Sequence, residues 1–334
     1  MWIWNKTLQS PLGLLVCLQL LAAAPTEAQV TSDMLVRADE RPGDWTMYSG
    51  QYHSQRFSRL AQIDRSTVGG LELAWVRQLD PLGQVQTSPL VVDDVMYVTT
   101  PENEVLALDA ATGQVFWSYV HPLEDVLTLC CGKQSRGVAM LGNTLYLATM
   151  DARLVALDAA TGNVVWNTKV ANPLDGYSLT AAPLVVHDLV ITGIAGGEFG
   201  IRGFIEAFDA VTGEVIQVAE IATKASHLAV DRAGEWVFLA DPGANKLLAV
   251  STSDLSVQHA WPAPGAPQLP AVTDDGIVCV TGGGTGTLTI VRPRTQDYEV
   301  QTLDVGACPH DPLLTPDGRC VFVPCAGDGN IVSV

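Results

Sequence analysis

Ala107-Leu-Asp109-Ala-Ala-Thr112-Gly113-Gln-Val-Phe-Trp117 returns almost unchanged as Ala156-Leu-Asp158-Ala-Ala-Thr161-Gly162-Asn-Val-Val-Trp166. A third copy, Ala207-Phe-Asp209-Ala-Val-Thr212-Gly213, has Gln217 where the tryptophan should stand. The three aspartates lie 49 and 51 residues apart, the length of a propeller blade. The motif reads as mechanics. Asp opens a turn by accepting backbone hydrogen bonds, Thr-Gly makes the tight reversal, and the Trp four residues after Gly packs on the neighbouring blade.

Working outward, short apolar or alternating runs recur between turns rich in Gly, Asp, Pro and Asn, as in Pro89-Leu-Val-Val92, Thr144-Leu-Tyr-Leu147 and Leu184-Val-Val186. Strand-sized runs at this spacing indicate an all-β chain. Helical patterning is confined to a stretch around Ser32–Asp39, where Met34-Leu-Val36 falls on one face. Beyond about residue 218 the frame changes. Gly234, Gly276 and Gly318 stand 42 apart, after Asp231-Arg-Ala, Thr273-Asp-Asp275 and Thr315-Pro-Asp317, in a manner similar to YVTN and lactonase-like propellers. The expected fold is a β-propeller of about six to seven four-stranded blades. Leu71-Glu-Leu-Ala-Trp75-Val-Arg-Gln-Leu79 is a candidate outer strand that closes the last blade and removes an open sheet edge.

The chain opens with Lys6 and an apolar run, Leu12–Ala24, of 13 residues, against the ~20 needed to cross a bilayer. Thr26-Glu-Ala28 follows with small residues suited to cleavage, so residues 1–28 read as a secretory signal and the destination as periplasmic or secreted. Residues 29–217 and 218–334 then carry the two blade types. Six of the seven cysteines lie beyond the signal, an even number that permits disulfides in an oxidising compartment. Cys130 and Cys131 are adjacent. Their Cα atoms stand about 3.8 Å apart, where ordinary disulfides prefer about 4.4–6.8 Å, so bridging them would close a stiff eight-membered ring. Two reduced thiols, or thiols paired elsewhere, are the other reading. The net charge is −18, with 36 acidic against 18 basic residues, which repels phosphate backbones and excludes nucleic acid as a partner.

Residues 31–214 resemble the pyrroloquinoline-quinone (PQQ) dependent alcohol dehydrogenases, the methanol and ethanol dehydrogenase family. The blocks that carry the likeness are Gly43-Asp-Trp45-Thr-Met-Tyr48-Ser-Gly50, Gln55-Arg56-Phe57-Ser58, both complete Trp repeats, Cys130-Cys131 followed by Arg136-Gly137, Gly176-Tyr-Ser-Leu-Thr180-Ala-Ala-Pro183 and Gly196-Gly197-Glu198-Phe-Gly200. The resemblance implies a vicinal Cys130–Cys131 disulfide as one face of a quinone pocket. It implies Arg136 on a PQQ carboxylate, a task suited to guanidinium. Thr180 would offer its hydroxyl, Gly196 and Gly197 a close backbone approach, and Glu198 a carboxylate to Ca²⁺ or a lanthanide. The implied activity is oxidation of a small primary alcohol or aldehyde, with a periplasmic cytochrome c or a quinone as acceptor. The chain has no Cys-x-x-Cys-His, so it attaches no haem of its own in that way.

The sequence departs from the family at Gln86, where a Glu is usual, and at Ala195, where some members have Ser. The family segment that brings a stacking Trp, a metal-binding Asn and an Asp base has no counterpart after the third repeat. Asp231, Asp241 and Asp311 fall in turns of the other repeat type, so the catalytic base is unassigned. A non-catalytic binding propeller, or a truncated or fused gene product, is the alternative this leaves.

Overall fold

The computed structural model describes residues 28–334 except 53, 55, 80–82, 124–126, 128, 130–131, 221–227, 296 and 316. Among the described residues, the strands form six antiparallel sheets, each running in simple chain order. Blade 1 comprises Leu90–Val92, Val95–Thr99, Glu104–Asp109 and Val115–Val120. Blade 2 runs from Val138–Leu141 to Val164–Lys169, blade 3 from Leu184–Val186 to Val215–Glu220, blade 4 from Leu228–Val230 to Val257–Pro262, and blade 5 from Pro267–Val272 to Tyr298–Asp304. Blade 6 has three strands, Leu313–Leu314, Val321–Cys325 and Asn330–Ser333. The expected helix is a single short α1, Ser32–Val36, capped by Thr31 Oγ1 accepting from the Met34 N–H at 3.2 Å.

Burial explains why the runs are apolar rather than strictly alternating. The third strand of each of blades 1 to 5 is largely buried, and in blade 1 Leu106 and Leu108 pack against Trp75 and Leu79 of the segment ahead of the blades. In blade 2 the side chains of Leu154, Val155, Ala156 and Leu157 are all fully buried. Such strands lose the polar alternation of a one-sided sheet. Each Leu or Val buried this way contributes about 1.5–3 kcal/mol of transfer free energy.

The repeat does what its residues imply. Asp109 Oδ1 accepts from the Ala111 and Thr112 N–H groups at 3.0 and 2.7 Å, and Asp158 and Asp209 make the matching bonds to Thr161 and Thr212. Gly113, Gly162 and Gly213 then adopt φ of 72°, 73° and 70° and donate to the carbonyl of the opening Asp. A bulge at Ala107/Leu108, Ala156/Leu157, Ala207/Phe208 and Ala249/Val250 recurs at the same place in four blades. It sets Trp117 opposite Ala107 and Trp166 opposite Ala156, where a small partner leaves room for the indole. Each indole covers the glycine of the next blade. Trp117 Nε1 donates to the Ala159 carbonyl at 3.0 Å and Trp166 Nε1 to that of Ala210 at 3.2 Å.

Two positions depart from the expected pattern. In blade 4 the place of the indole opposite Ala249 belongs to His259, which stacks on Trp261 at 5.4 Å and meets the edge of Tyr298 at 4.7 Å. Aromatic packing therefore replaces the Trp-on-Gly lock there. The closing strand expected over Leu71–Leu79 is a correction: these residues carry no strand pairing, and among the described residues blade 6 stays three-stranded. The physical reason is the docking of Trp75. Its Nε1 donates to the Ala110 carbonyl at 3.1 Å and its ring lies against Gly113, so the segment is held by blade 1. Leu73 and Val76 remain 80% and 82% exposed.

Candidate functional site

Residues 45–52 are tied to three blades, two through the backbone and one through a side chain. Trp45 exchanges both backbone bonds with Val91 of blade 1, at 2.7 and 3.0 Å. Tyr52 donates its hydroxyl to the Val185 carbonyl at 2.7 Å, and its own carbonyl accepts from Val230 at 3.2 Å, tying blades 3 and 4. Burial raises the Tyr52 phenol above its ordinary range, with the Asp231 carboxylate adding to the effect, so the hydroxyl stays a neutral donor.

This segment, Ser54, Arg56 and the inner parts of blades 2 to 5 line a cavity of about 750 Å³, within the range of ligand-binding pockets. Arg136, Thr180, Gly196, Gly197 and Glu198 all line it, so the structure brings the expected site residues together. Cys130 and Cys131 lie outside the described residues. Among those described, Cys279, Cys308, Cys320 and Cys325 are free thiols.

Arg136 is half-buried and fixed at both ends. Its backbone N–H donates to Thr180 O at 3.2 Å, and its carbonyl accepts from Ser88 N–H at 3.1 Å. Its guanidinium donates to Thr180 Oγ1 at 2.9 Å, to Thr180 O at 3.3 Å and to Gln134 Oε1 at 3.3 Å. All three acceptors are neutral. A guanidinium oriented by neutral groups keeps its full charge for an anion.

Gly196 needs to be glycine for a reason that sequence reasoning missed. A Cβ there would stand 2.0 Å from the Gly176 carbonyl oxygen, and its φ is 124°. The close approach is between two parts of the protein, and it brings Thr180 and Glu198 to one wall. Glu198 sits in the short turn Gly197–Phe199, its side chain exposed on the cavity. Ala195 also lines the cavity, while Gln86 donates its amide to Gln84 Oε1 at 3.3 Å. Asp231 accepts from the Glu235 and Trp236 N–H groups, and Asp241 from that of Ala244, so both serve turns.

The charged groups on the described cavity wall are Arg56, Arg136 and Glu198. Arg56 and Tyr48 had no role in the sequence reading, although both fall in the quoted entry motif. The far wall, from blades 4 and 5, is apolar, with Leu228, Val230, Pro242 and Leu269. No cluster of three metal-ligating side chains occurs among the described residues, and none of their helices is long and apolar enough to cross a membrane.

Comparison with known proteins adds to this geometry. The family model described as "PQQ: Glucose/ethanol/alcohol dehydrogenase, beta-propeller domain" matches residues 45–216. The dehydrogenase subunit of the quinone alcohol dehydrogenase of Gluconacetobacter polyoxogenes is 40% identical over 203 residues, 58% of this chain and 28% of that protein. Quinohemoprotein alcohol dehydrogenase ADH IIB of Pseudomonas putida is 41% identical over 214 residues, 63% of this chain and 31% of that one. The chain thus spans about three-tenths of the length of these relatives. Among solved structures, quinohemoprotein alcohol dehydrogenase ADHIIG of Pseudomonas putida HK5 superposes with a TM-score of 0.67 at 25% identity, over 94% of this chain and 50% of that one. The Comamonas testosteroni quinohemoprotein alcohol dehydrogenase gives 0.74 at 22% identity over 91% and 60%, a likeness of fold.

Proposed function

The chain belongs to the PQQ-dependent glucose/ethanol/alcohol dehydrogenase β-propeller family, and from that premise we propose that its central cavity binds PQQ for the oxidation of a primary alcohol or aldehyde. The observation that carries the proposal is the Arg136–Thr180 pair on the wall of a cavity of about 750 Å³. PQQ is a planar polycarboxylate. Arg136 would bind one carboxylate, oriented for it by Thr180 and Gln134, and the Gly196–Gly176 contact would hold Glu198 on the same wall. Cys130 and Cys131 would form the vicinal disulfide beneath the ring. A bound quinone would supply the two-electron, two-proton acceptor that turns the alcohol into the aldehyde.

The protein's own part is to bind and orient. Arg136 and Thr180 fix the ring, the apolar wall at Leu228, Val230 and Leu269 excludes water, and Glu198 places negative charge beside the site. Ca²⁺ or a lanthanide, the latter carried in the name of the lanthanide-dependent methanol dehydrogenase of Methylacidiphilum fumariolicum, would find one protein carboxylate in Glu198. A hard cation takes about six to eight oxygens, so most would come from the bound polycarboxylate and water. The described residues on the cavity wall assign no general base. We place the protein outside the cytoplasm on the strength of the apolar leader, with a cytochrome c or a quinone taking the electrons.

Calorimetric titration of PQQ into the purified protein, with and without Ca²⁺, tests the proposal. Saturable binding that Arg136→Gln weakens about ten-fold or more supports it. Absence of saturable binding by the wild-type protein would overturn it.

A further inference from the structure

We infer that Arg56 is a second anion-binding residue of this cavity, acting with Arg136 as a two-guanidinium clamp for a ligand that carries at least two carboxylates. The inference rests on the cofactor reading above and adds a residue to it.

Ser88 links the backbone of Tyr48, beside Arg56, to that of Arg136. Ser88 Oγ donates to the Tyr48 carbonyl at 2.7 Å, and the Ser88 N–H donates to the Arg136 carbonyl at 3.1 Å. The Arg56 guanidinium carbon lies 5.6 Å from the centroid of the Tyr48 ring. Tyr48, Arg56, Arg136 and Thr180 line one cavity. A guanidinium over an aromatic ring is attracted to the ring face while its N–H groups remain available to an anion. Tyr48 thus favours Arg56 on this side of the cavity.

The absence of a carboxylate partner distinguishes the pair. Arg37, Arg41, Arg59 and Arg232 each form an ion pair with an aspartate, Asp33, Asp44, Asp39 and Asp274 respectively. In a chain with twice as many acidic as basic residues that is the expected state of an arginine. Among the described residues, neither Arg56 nor Arg136 has such a partner. Arg56 is also held at a backbone φ of 53°, with Ser54 at 56°, a conformation costly for residues other than glycine. Gln51 braces this turn from within. Its carbonyl accepts from the Ser54 N–H at 3.0 Å, and its buried amide donates to Phe57 O at 3.1 Å and to Asp39 Oδ1 at 2.7 Å. The strained turn presents a cation to the cavity.

The test titrates two probes, PQQ and benzene-1,2,4-tricarboxylate, into the full chain carrying Arg56→Gln, Arg56→Lys, Arg136→Gln or Arg232→Gln. Arg232, paired with Asp274 and not on the cavity wall, is the control. Arg56→Gln is expected to weaken both probes about ten-fold or more, Arg56→Lys to recover part of the loss, and Arg232→Gln to stay within about two-fold of wild type. The trimethyl ester of PQQ, which lacks the charges, is expected to bind the Gln variant and the wild type alike. Should Arg56→Gln fold poorly, the Lys variant and the ester comparison in the wild type carry the test. If Arg56→Gln binds PQQ as wild type does while Arg136→Gln fails, the clamp is overturned and the cofactor reading stands. If the tricarboxylate binds in an Arg56-dependent way and PQQ does not, the clamp stands and the cofactor reading falls. If wild type binds neither probe, both are overturned.

Discussion

Trp117 of blade 1 covers Gly162 of blade 2 so closely that a Cβ on the glycine would lie 2.6 Å from the indole Cε3. The same relationship joins Trp75 to Gly113 and Trp166 to Gly213. The repeat is therefore an inter-blade lock, made between copies rather than within one.

Gly162→Ala is expected to cost about 2–4 kcal/mol, because a positive φ and a blocked indole add. Urea unfolding measures this. Gly43→Ala, where nothing lies within 4 Å of the added carbon, is the matched control and should change stability little.

Glu206 occupies a position held by Leu106 and Val155 in the two preceding blades, opposite Thr192. It is buried, one carboxylate oxygen has no hydrogen-bond partner, and burial pushes its pKa up to about 7. A raised folded pKa means stability is greatest below the unfolded value and falls as pH rises through about 7. Between pH 5 and pH 8 the loss should amount to about 2–3 kcal/mol. Glu206→Gln should flatten that slope. An unchanged slope in urea melts of the variant would refute the assignment.

His121 Nε2 meets both oxygens of Asp151 at 3.0 and 3.1 Å, in a buried pair between blades 1 and 2. Burial alone would raise the Asp151 carboxyl, but hydrogen bonds from His121 and Thr149 outweigh it and hold the carboxyl below its ordinary range. Its contribution to stability is therefore present above the ordinary carboxylate pKa and disappears as pH falls below it. Asp151→Ala should cost about 1–3 kcal/mol at neutral pH, since the His121 ring nitrogen is left buried without its hydrogen-bond partner. It should also remove part of the loss of stability in acid, read from thermal melts at pH 3 and pH 6.

Trp75→Ala should release residues 57–79 while leaving the blades intact, because that indole and its bond to Ala110 hold a segment that has no ladder. Limited proteolysis reads this as faster cleavage within 57–79. Circular dichroism should change little.

The fold was legible because the Asp-Thr-Gly corner is local chemistry: every bond that makes it lies within five residues. That Arg136, Thr180 and Glu198 share one cavity wall was foreshadowed because their motifs resemble a known family. Long-range placement was less visible. Nothing in the run Leu71–Leu79 says whether it pairs with the last blade or rests on the first, since both bury Trp75. Arg56 reads as an ordinary surface arginine until Ser88 is seen to join Tyr48 to Arg136. Glu206 looks like one more polar residue in a strand until the blades on either side close over it.

The cavity sets two guanidinium groups inside a molecule of net charge −18. A polyanionic ligand is therefore repelled at a distance and attracted on arrival. Added salt screens both effects, but the long-range one first, since the Debye length is about 8–10 Å near physiological ionic strength. Association should speed up with salt while dissociation speeds up as well, so the two rate constants move together. Among small anions, this arrangement would admit ligands slowly and keep those with enough carboxylates to hold both arginines.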